Sequence, residues 1–333
     1  MKLNKRFLGF LCFNLILIEV TPLLASVPLA RMKRNQIRCE AIGRILNRGD
    51  RHLSPGSLVC SGEKLEVLNG KYINLICFSS GEVLKLSSGV IAASECAKPS
   101  LSNSTCNSMN VENCLIRKGG TPQAEEPTII YPYTSSILNS RPDIAWQPVN
   151  GATYYKVRLS GYEFEWEKIV NQTKLTYPPS EKELQFDQAF KITVIAYKND
   201  SPLAADTFVV NLFSQSEIKQ VLDTVEQIKS LDLPEDETAL DLDAVYMSRG
   251  FLDESIEELT KAATTNSKNP TLYRVLGERY FEAGLPNEAK RQFVISAQLA
   301  NNTNNSTELK KVEQGLRLID FYNQLPTSKK GAQ

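Results

Sequence analysis

A recurrence 34 residues apart constrains this chain more than any other feature: Tyr246 and Gly250 return as Tyr280 and Gly284. That offset is the length of one helix–turn–helix unit. In the second copy Tyr273, Leu276, Gly277 and Tyr280 fall at i, i+3, i+4 and i+7, along one face of a single helix. Gly284 ends that helix, and Ala289 and Phe293 begin the inward face of the next. Small residues at Gly277 and Ala289 let two antiparallel helices approach, while the larger rings fill the space between units. The spacing predicts a stack of helical hairpins with one continuous core.

The first copy keeps Leu242, Tyr246, Gly250, Leu259 and Ala262 but has Ala239 for the aromatic, Asp243 for the glycine and Ser255 for the alanine. Before it, Ile218, Val221, Leu222, Val225 and Ile228 predict a helix that stops near Leu233 and Pro234. After the Asn-rich stretch 301–306, a last helix carries Leu309, Val312, Leu316 and Ile319 on one face and Lys310, Lys311, Glu313 and Arg317 elsewhere, as a solvating cap would. Residues 216–325 thus read as six helices, and 326–333 as a disordered tail. The repeated residues resemble the tetratricopeptide signature. That resemblance implies a short solenoid whose concave face, lined by first-helix positions Asp241, Val245, Arg274 and Glu278, binds a peptide or partner protein.

The N-terminus has the layout of a secretory signal. Lys2, Lys5 and Arg6 precede an apolar run over 7–18, and small residues follow at Ala25, Ser26 and Ala30, giving a signal peptide over 1–30. Glu19 and Pro22 break the run, which is shorter than the roughly 20 apolar residues needed to span a bilayer. Leu23 or Pro28 stands three residues before the cleavage candidates, and Arg31, Lys33, Arg34 and Arg38 follow. Retention as an anchor facing outside the cytoplasm is therefore the alternative to full export to the periplasm or cell envelope, and membrane contact is expected only in that case.

Six further cysteines, Cys39, Cys60, Cys77, Cys96, Cys106 and Cys114, are confined to the first third of the chain. In an oxidising compartment they suit disulfides stapling a small domain, in any of 15 pairings. No pair has C-x-x-C spacing, so no metal is expected.

Between the signal and the helices two β modules are expected. In the first, 31–118, Leu65 and Val67 share one strand face, Ile73, Leu75 and Cys77 another, and Val83 and Leu84 follow a turn at Ser80 and Gly81. The order Pro55-Gly56, Gly62-Glu63, Ser80-Gly81 and Leu84-x-Leu86 resembles the FecR-like periplasmic β domain. Residues 119–127 read as a linker. In the second, 128–213, Ile144-Ala145-Trp146 and the alternation Tyr155, Val157, Leu159 read as a hairpin, with Phe190, Ile192, Val194 and Ala196 on a later strand. The stretch RPDIAWQPVNGATYYKVRL and the strands after it resemble a fibronectin type III-like β-sandwich with Trp146 in its core. The chain departs from that family in having Asp187-Gln188 and Phe190 where a Pro-Gly turn and a corner tyrosine are usual.

The chain is thus multidomain β + α: a disulfide-stapled β domain, a β-sandwich and a C-terminal helical solenoid. Thirty-eight basic side chains balance 38 acidic ones, which removes the cationic footprint of nucleic-acid binding. The single histidine, His52, and the absence of G-x-S-x-G, H-E-x-x-H or phosphate-loop motifs argue against an enzyme, and no cofactor is expected. An exported, non-enzymatic scaffold or adaptor is the expected function. Two alternatives remain: a FecR-like envelope regulator anchored by its N-terminus, and a carbohydrate-binding module using Tyr131, Tyr133, Tyr162 and Trp166.

Overall fold

Alternating apolar residues in the first module become short strands: β1 (Ala41–Ile45), β2 (Leu58–Cys60), β3 (Lys64–Val67), β4 (Ile73–Cys77), β5 (Val83–Leu86) and β6 (Gly89–Ala92). The computed structural model describes residues 41–87, 89–92, 96 and 126–324. The signal segment, Cys39, Cys106, Cys114, linker residues 119–125 and the tail 326–333 lie outside the described residues. Four strands form a sheet in the order β2-β1-β4-β5, and β3 pairs with β6. Ile73, Leu75 and Cys77 point into a core with Ile45, Val59, Leu65 and Val67. A Cys77–Cys96 disulfide lies in that core, and Cys60 is also disulfide-bonded. Ile76, on the opposite face of β4, is fully buried too, because helices cover that face. A strand covered on both sides loses the usual alternation, as the burial of β4 shows.

The second module is a sandwich of β7 (Ile129–Tyr131), β8 (Ser136–Ile137), β9 (Asp143–Trp146), β10 (Tyr154–Gly161), β11 (Phe164–Val170), β12 (Lys174–Thr176), β13 (Gln188–Lys198) and β14 (Ser201–Leu212). Its sheets run β11-β10-β13-β14-β8 and β12-β9-β7. The expected hairpin between 144–146 and 154–159 is not formed. β9 pairs with β7 and β12, whereas β10 pairs with β11 and β13. Pro148 and the left-handed Gly151 carry the chain from one sheet to the other, so the same alternation serves two faces of one core. Trp146, Tyr155, Tyr177 and Phe190 are buried between the sheets. In place of a corner tyrosine, Phe190 packs edge-on against Phe164.

Six helices follow: α1 (Gln215–Lys229), α2 (Glu235–Ser248), α3 (Leu252–Thr264), α4 (Pro270–Glu282), α5 (Pro286–Asn302) and α6 (Ser306–Gln324). A Ser214/Glu217 capping box starts α1. This helix ends at Lys229, short of the expected Leu233, because Ser230 caps it and Asp232 turns left-handed. The described residues form one compact unit, in which the helices meet both β modules.

Candidate partner-binding surface

The two hairpins, α2–α3 and α4–α5, turn in the same way 34 residues apart. Phe251 N–H donates to Tyr246 O and Leu285 N–H to Tyr280 O, while Gly250 and Gly284 sit at φ +77° and +76°. Only glycine takes that conformation without strain. In the second hairpin a Cβ on Gly277 would come within 2.9 Å of the Phe293 ring and 3.2 Å of Ala289 O, so the small residue sets the helix spacing. Leu276, Ala289 and Phe293 are buried, Tyr273 nearly so, and Tyr280 packs against the same cores. Leu242 and Tyr246 hold the corresponding places in the first hairpin and pack with α1 and β4 residues.

The departures of the first copy form one polar network. Ser255 Oγ donates to Asp243 Oδ1 at 2.6 Å, and Arg279 of α4 reaches both Asp243 oxygens at 2.6 and 2.9 Å. Glu282 adds a second carboxylate to Arg279 at 3.3 Å. Burial disfavours the charge on Arg279, but Asp243 and Glu282 outweigh it and hold the guanidinium protonated. An aspartate at the tightest helix contact survives because a neighbouring serine and the next hairpin satisfy it.

The four residues expected to line a concave binding face do not form one. Asp241 is 2% exposed and is taken by Arg44 of β1 at 2.5 Å; Arg44 also bonds Glu237 at 3.0 Å and Gly56 O at 2.8 Å. Burial pushes Asp241 up to about 6 against the opposing pull of Arg44. Val245 packs with Leu46 and Ile76 of the first β module and touches only the edge of a polar cleft beside Glu82, Asp223 and Arg249. Arg274 is ion-paired to Glu308 of α6 and to Glu278 at 2.6 Å. The physical reason is the same for all four: the chain's own β module and its last helix cover the inner face that the sequence left open.

The sandwich holds the same first hairpin at the start of α3. Asp253 accepts from Tyr133 N–H at 2.7 Å, and Thr134 Oγ1 donates to Gly250 O at 3.0 Å. Glu254 accepts from the Leu138 backbone, while its Oε2 is buried without a partner; burial, reinforced by Asp253, pushes this carboxyl up to about 7. Burial, with Tyr280 and Asp253, also pushes Tyr133 up to about 12. Tyr131 and Tyr133 are therefore half-buried junction residues, Trp166 packs edge-on to Tyr177, and of the four rings considered for carbohydrate only Tyr162 stands well exposed.

The outer side of the second hairpin is open. A cleft of about 450 Å³ runs between α3 and α5. Tyr273, Leu276 and Tyr280 of α4 line it with Ala263, Ile295 and Leu299, and Thr260, Thr264, Asn266, Ser267, Lys268 and Gln292 make up its polar part. The lining phenols already have partners: Tyr273 donates to Ser267 O at 3.2 Å, and Tyr280 lies 3.1 Å from Thr260 Oγ1. The rings thus present apolar surface rather than free hydroxyls, a lining suited to apolar side chains. Sequence reading assigned Tyr273, Leu276 and Tyr280 to structure alone and passed over Ile295. The available signal was Val294 and Ile295, two aliphatic residues off the Ala289/Phe293 face, both exposed in the fold.

No protein-family model and no curated protein matches the sequence. Among solved structures, PcrH in complex with the chaperone binding region of PopB is 16% identical, covering 30% of this chain and 85% of that one with a TM-score of 0.27. The Yersinia enterocolitica type III secretion chaperone SycD, in complex with a peptide of the translocator YopD, is 21% identical over 33% of this chain and 87% of that one, TM-score 0.28. The fn3 domain of human collagen alpha-1(XX) is 22% identical over 25% and 81%, TM-score 0.21. These are distant likenesses of fold: the C-terminal helices are similar to tetratricopeptide-like chaperones and the sandwich to an fn3 domain.

Proposed function

We propose that the chain is a non-catalytic, exported scaffold that holds a peptide segment of a partner protein in the outer cleft between α3 and α5, with the β modules as spacer and second contact. The three-module division at 31–118, 128–213 and 216–325, and the FecR-like character of the first module, belong to this reading. One observation carries it. In an array whose inner face is covered by its own chain, the cleft lined by Tyr273, Leu276 and Tyr280 remains open, with an apolar strip beside a polar rim. Export rests on the signal layout of residues 1–30. A cleft of this size accommodates one or two anchoring side chains, which suits a weak to moderate, exchangeable contact.

The test places a photo-crosslinking side chain at Ile295 of the full-length chain in its own envelope, with the same probe at the exposed Phe321 of α6 as control. A discrete adduct from 295, absent from 321 and lost when Tyr280→Glu charges the cleft, is the expected result. Adducts of equal yield from both positions, adducts from the β modules alone, or substrate turnover by the purified chain would overturn the proposal.

A further inference from the structure

We propose that the turn between β3 and β4 is a contact point for an anionic membrane surface. The turn spans Leu68 to Tyr72, and Lys71 N–H closes it on Leu68 O at 2.9 Å. At its tip Gly70 sits at φ +70° with nothing within 4 Å of where a Cβ would lie, so the tip projects into open space. Leu68 and Tyr72 flank it and are 38% and 44% exposed. The two side chains together are too small a patch to mark a contact by themselves, and it is the cations around them that give the turn its direction.

Three cations surround the tip. The segment before Asp50 runs alongside the turn: Leu68 N–H donates to Gly49 O at 2.9 Å and Asn47 Nδ2 to Tyr72 O at 3.0 Å, which brings the exposed Arg48 beside the tip. Lys85 of β5 lies 4.4 Å from the centre of the Tyr72 ring, and Lys71 is in the turn itself. The nearby acids are already committed. Asp50 accepts from the N–H groups of His52, Leu53 and Glu66, and Glu66 faces Arg51 and His52. Among the described residues no carboxylate pairs with Arg48, Lys71 or Lys85.

Three cations around a tyrosine and a leucine match the layered chemistry of a bilayer interface. Phosphate groups meet the cations, the amphipathic ring settles at headgroup depth, and the aliphatic tip enters the acyl boundary. The position permits it. Tyr72 precedes β4 and Gly81, which lies against α2, follows it, so the tip and the helix contact lie at opposite ends of one strand. Each cation near such a surface strengthens binding by about five-fold, so the three together give a salt-sensitive contact.

The experiment uses the full chain carrying Tyr72→Trp. Its emission is followed during titration with vesicles of phosphatidylcholine alone or with 30% phosphatidylglycerol, against the same chain without the new tryptophan, which corrects for Trp146 and Trp166. A blue shift with the anionic vesicles only, reversed by high salt and weakened at least ten-fold by Lys71→Glu with Lys85→Glu, is expected. The double reversal lies on exposed positions, and an unchanged circular dichroism spectrum verifies folding. No shift at residue 72, an equal shift with neutral vesicles, or a shift with a soluble polyanion such as heparin but not with vesicles would overturn the proposal.

Discussion

The two helical hairpins share a turn geometry and differ in almost everything that surrounds them. In α4–α5 the small pair Gly277 and Ala289 sets the helix contact, and among the described residues no side chain of either β module lines its outer cleft. In α2–α3 the equivalent pair is Asp243 and Ser255, Arg44 and Ile76 of the first module cover the inner helix, and the sandwich grips the start of α3 through Asp253 and Thr134. Where this chain leaves the repeat pattern, it docks on itself. The first hairpin is the hub of the molecule and the second its open surface.

The sharpest way to break that comparison is Arg279→Ala. Removing the guanidinium strands Asp243 in the core with only Ser255 as donor, and a buried carboxylate left without its cation costs about 3–5 kcal/mol. Urea unfolding measures this directly. Restoring the repeat's own residue in the same chain, Asp243→Gly with Arg279→Met, should recover part of the loss, since Asp243 then leaves together with its cation while Glu282 still loses the guanidinium. A single substitution with no effect would mean that water reaches Asp243 and that the network is not what joins the hairpins.

The hairpins were legible in the sequence because their constraint is local: a left-handed glycine after a tyrosine, and small residues where helices touch. The sandwich core was legible for a similar reason, since Tyr155, Val157 and Leu159 alternate whichever sheet they join. Their partner strand was not legible, because alternation states which face is buried and leaves open which neighbour hydrogen-bonds to the edge. The binding face failed on a longer range. Nothing near Asp241 in sequence announces that Arg44, 197 residues away, will occupy it. Ion pairs and apolar docking between modules are properties of the assembled surface, and Arg44 on its own reads as an ordinary exposed strand residue.

Proton binding offers a second way to sharpen the contrast, because the first hairpin holds both carboxyls raised toward neutrality. Glu254 moves from 4.5 to about 7 and Asp241 from 3.8 to about 6. A carboxyl raised on folding leaves the folded state fully favoured below its unfolded value and weakens it as pH rises through the folded value. The protein should therefore lose stability between pH 5 and 8, with Glu254 alone accounting for roughly 2–3 kcal/mol. Urea midpoints across that range check the slope. Glu254→Gln, which keeps an acceptor for the Leu138 N–H, should flatten it near pH 7, whereas Glu278→Gln in the second hairpin should leave it in place.

The smallest effect separates how the two inner helices begin. Asn269 caps α4, its side chain accepting from Thr271 N–H at 3.1 Å, and Pro270 follows with its φ already suited to a first turn. α2 starts at Pro234 with no side-chain cap, and its first turn instead carries Glu235, Asp236 and Glu237, the last of them bonded to Arg44. Asn269→Ala should cost about 1 kcal/mol, visible in hydrogen exchange as faster opening confined to the first turn of α4. Arg44→Met, which also takes the cation from the buried Asp241 and so costs more overall, should instead loosen the start of α2 together with β1, since that helix is held by a strand 193 residues away rather than by its own cap. If α2 opens no faster in that variant, its acidic first turn and the helix dipole suffice to hold it, and the first module rests on the hairpin through apolar and backbone contacts such as those of Leu46, Ile76 and Gly81.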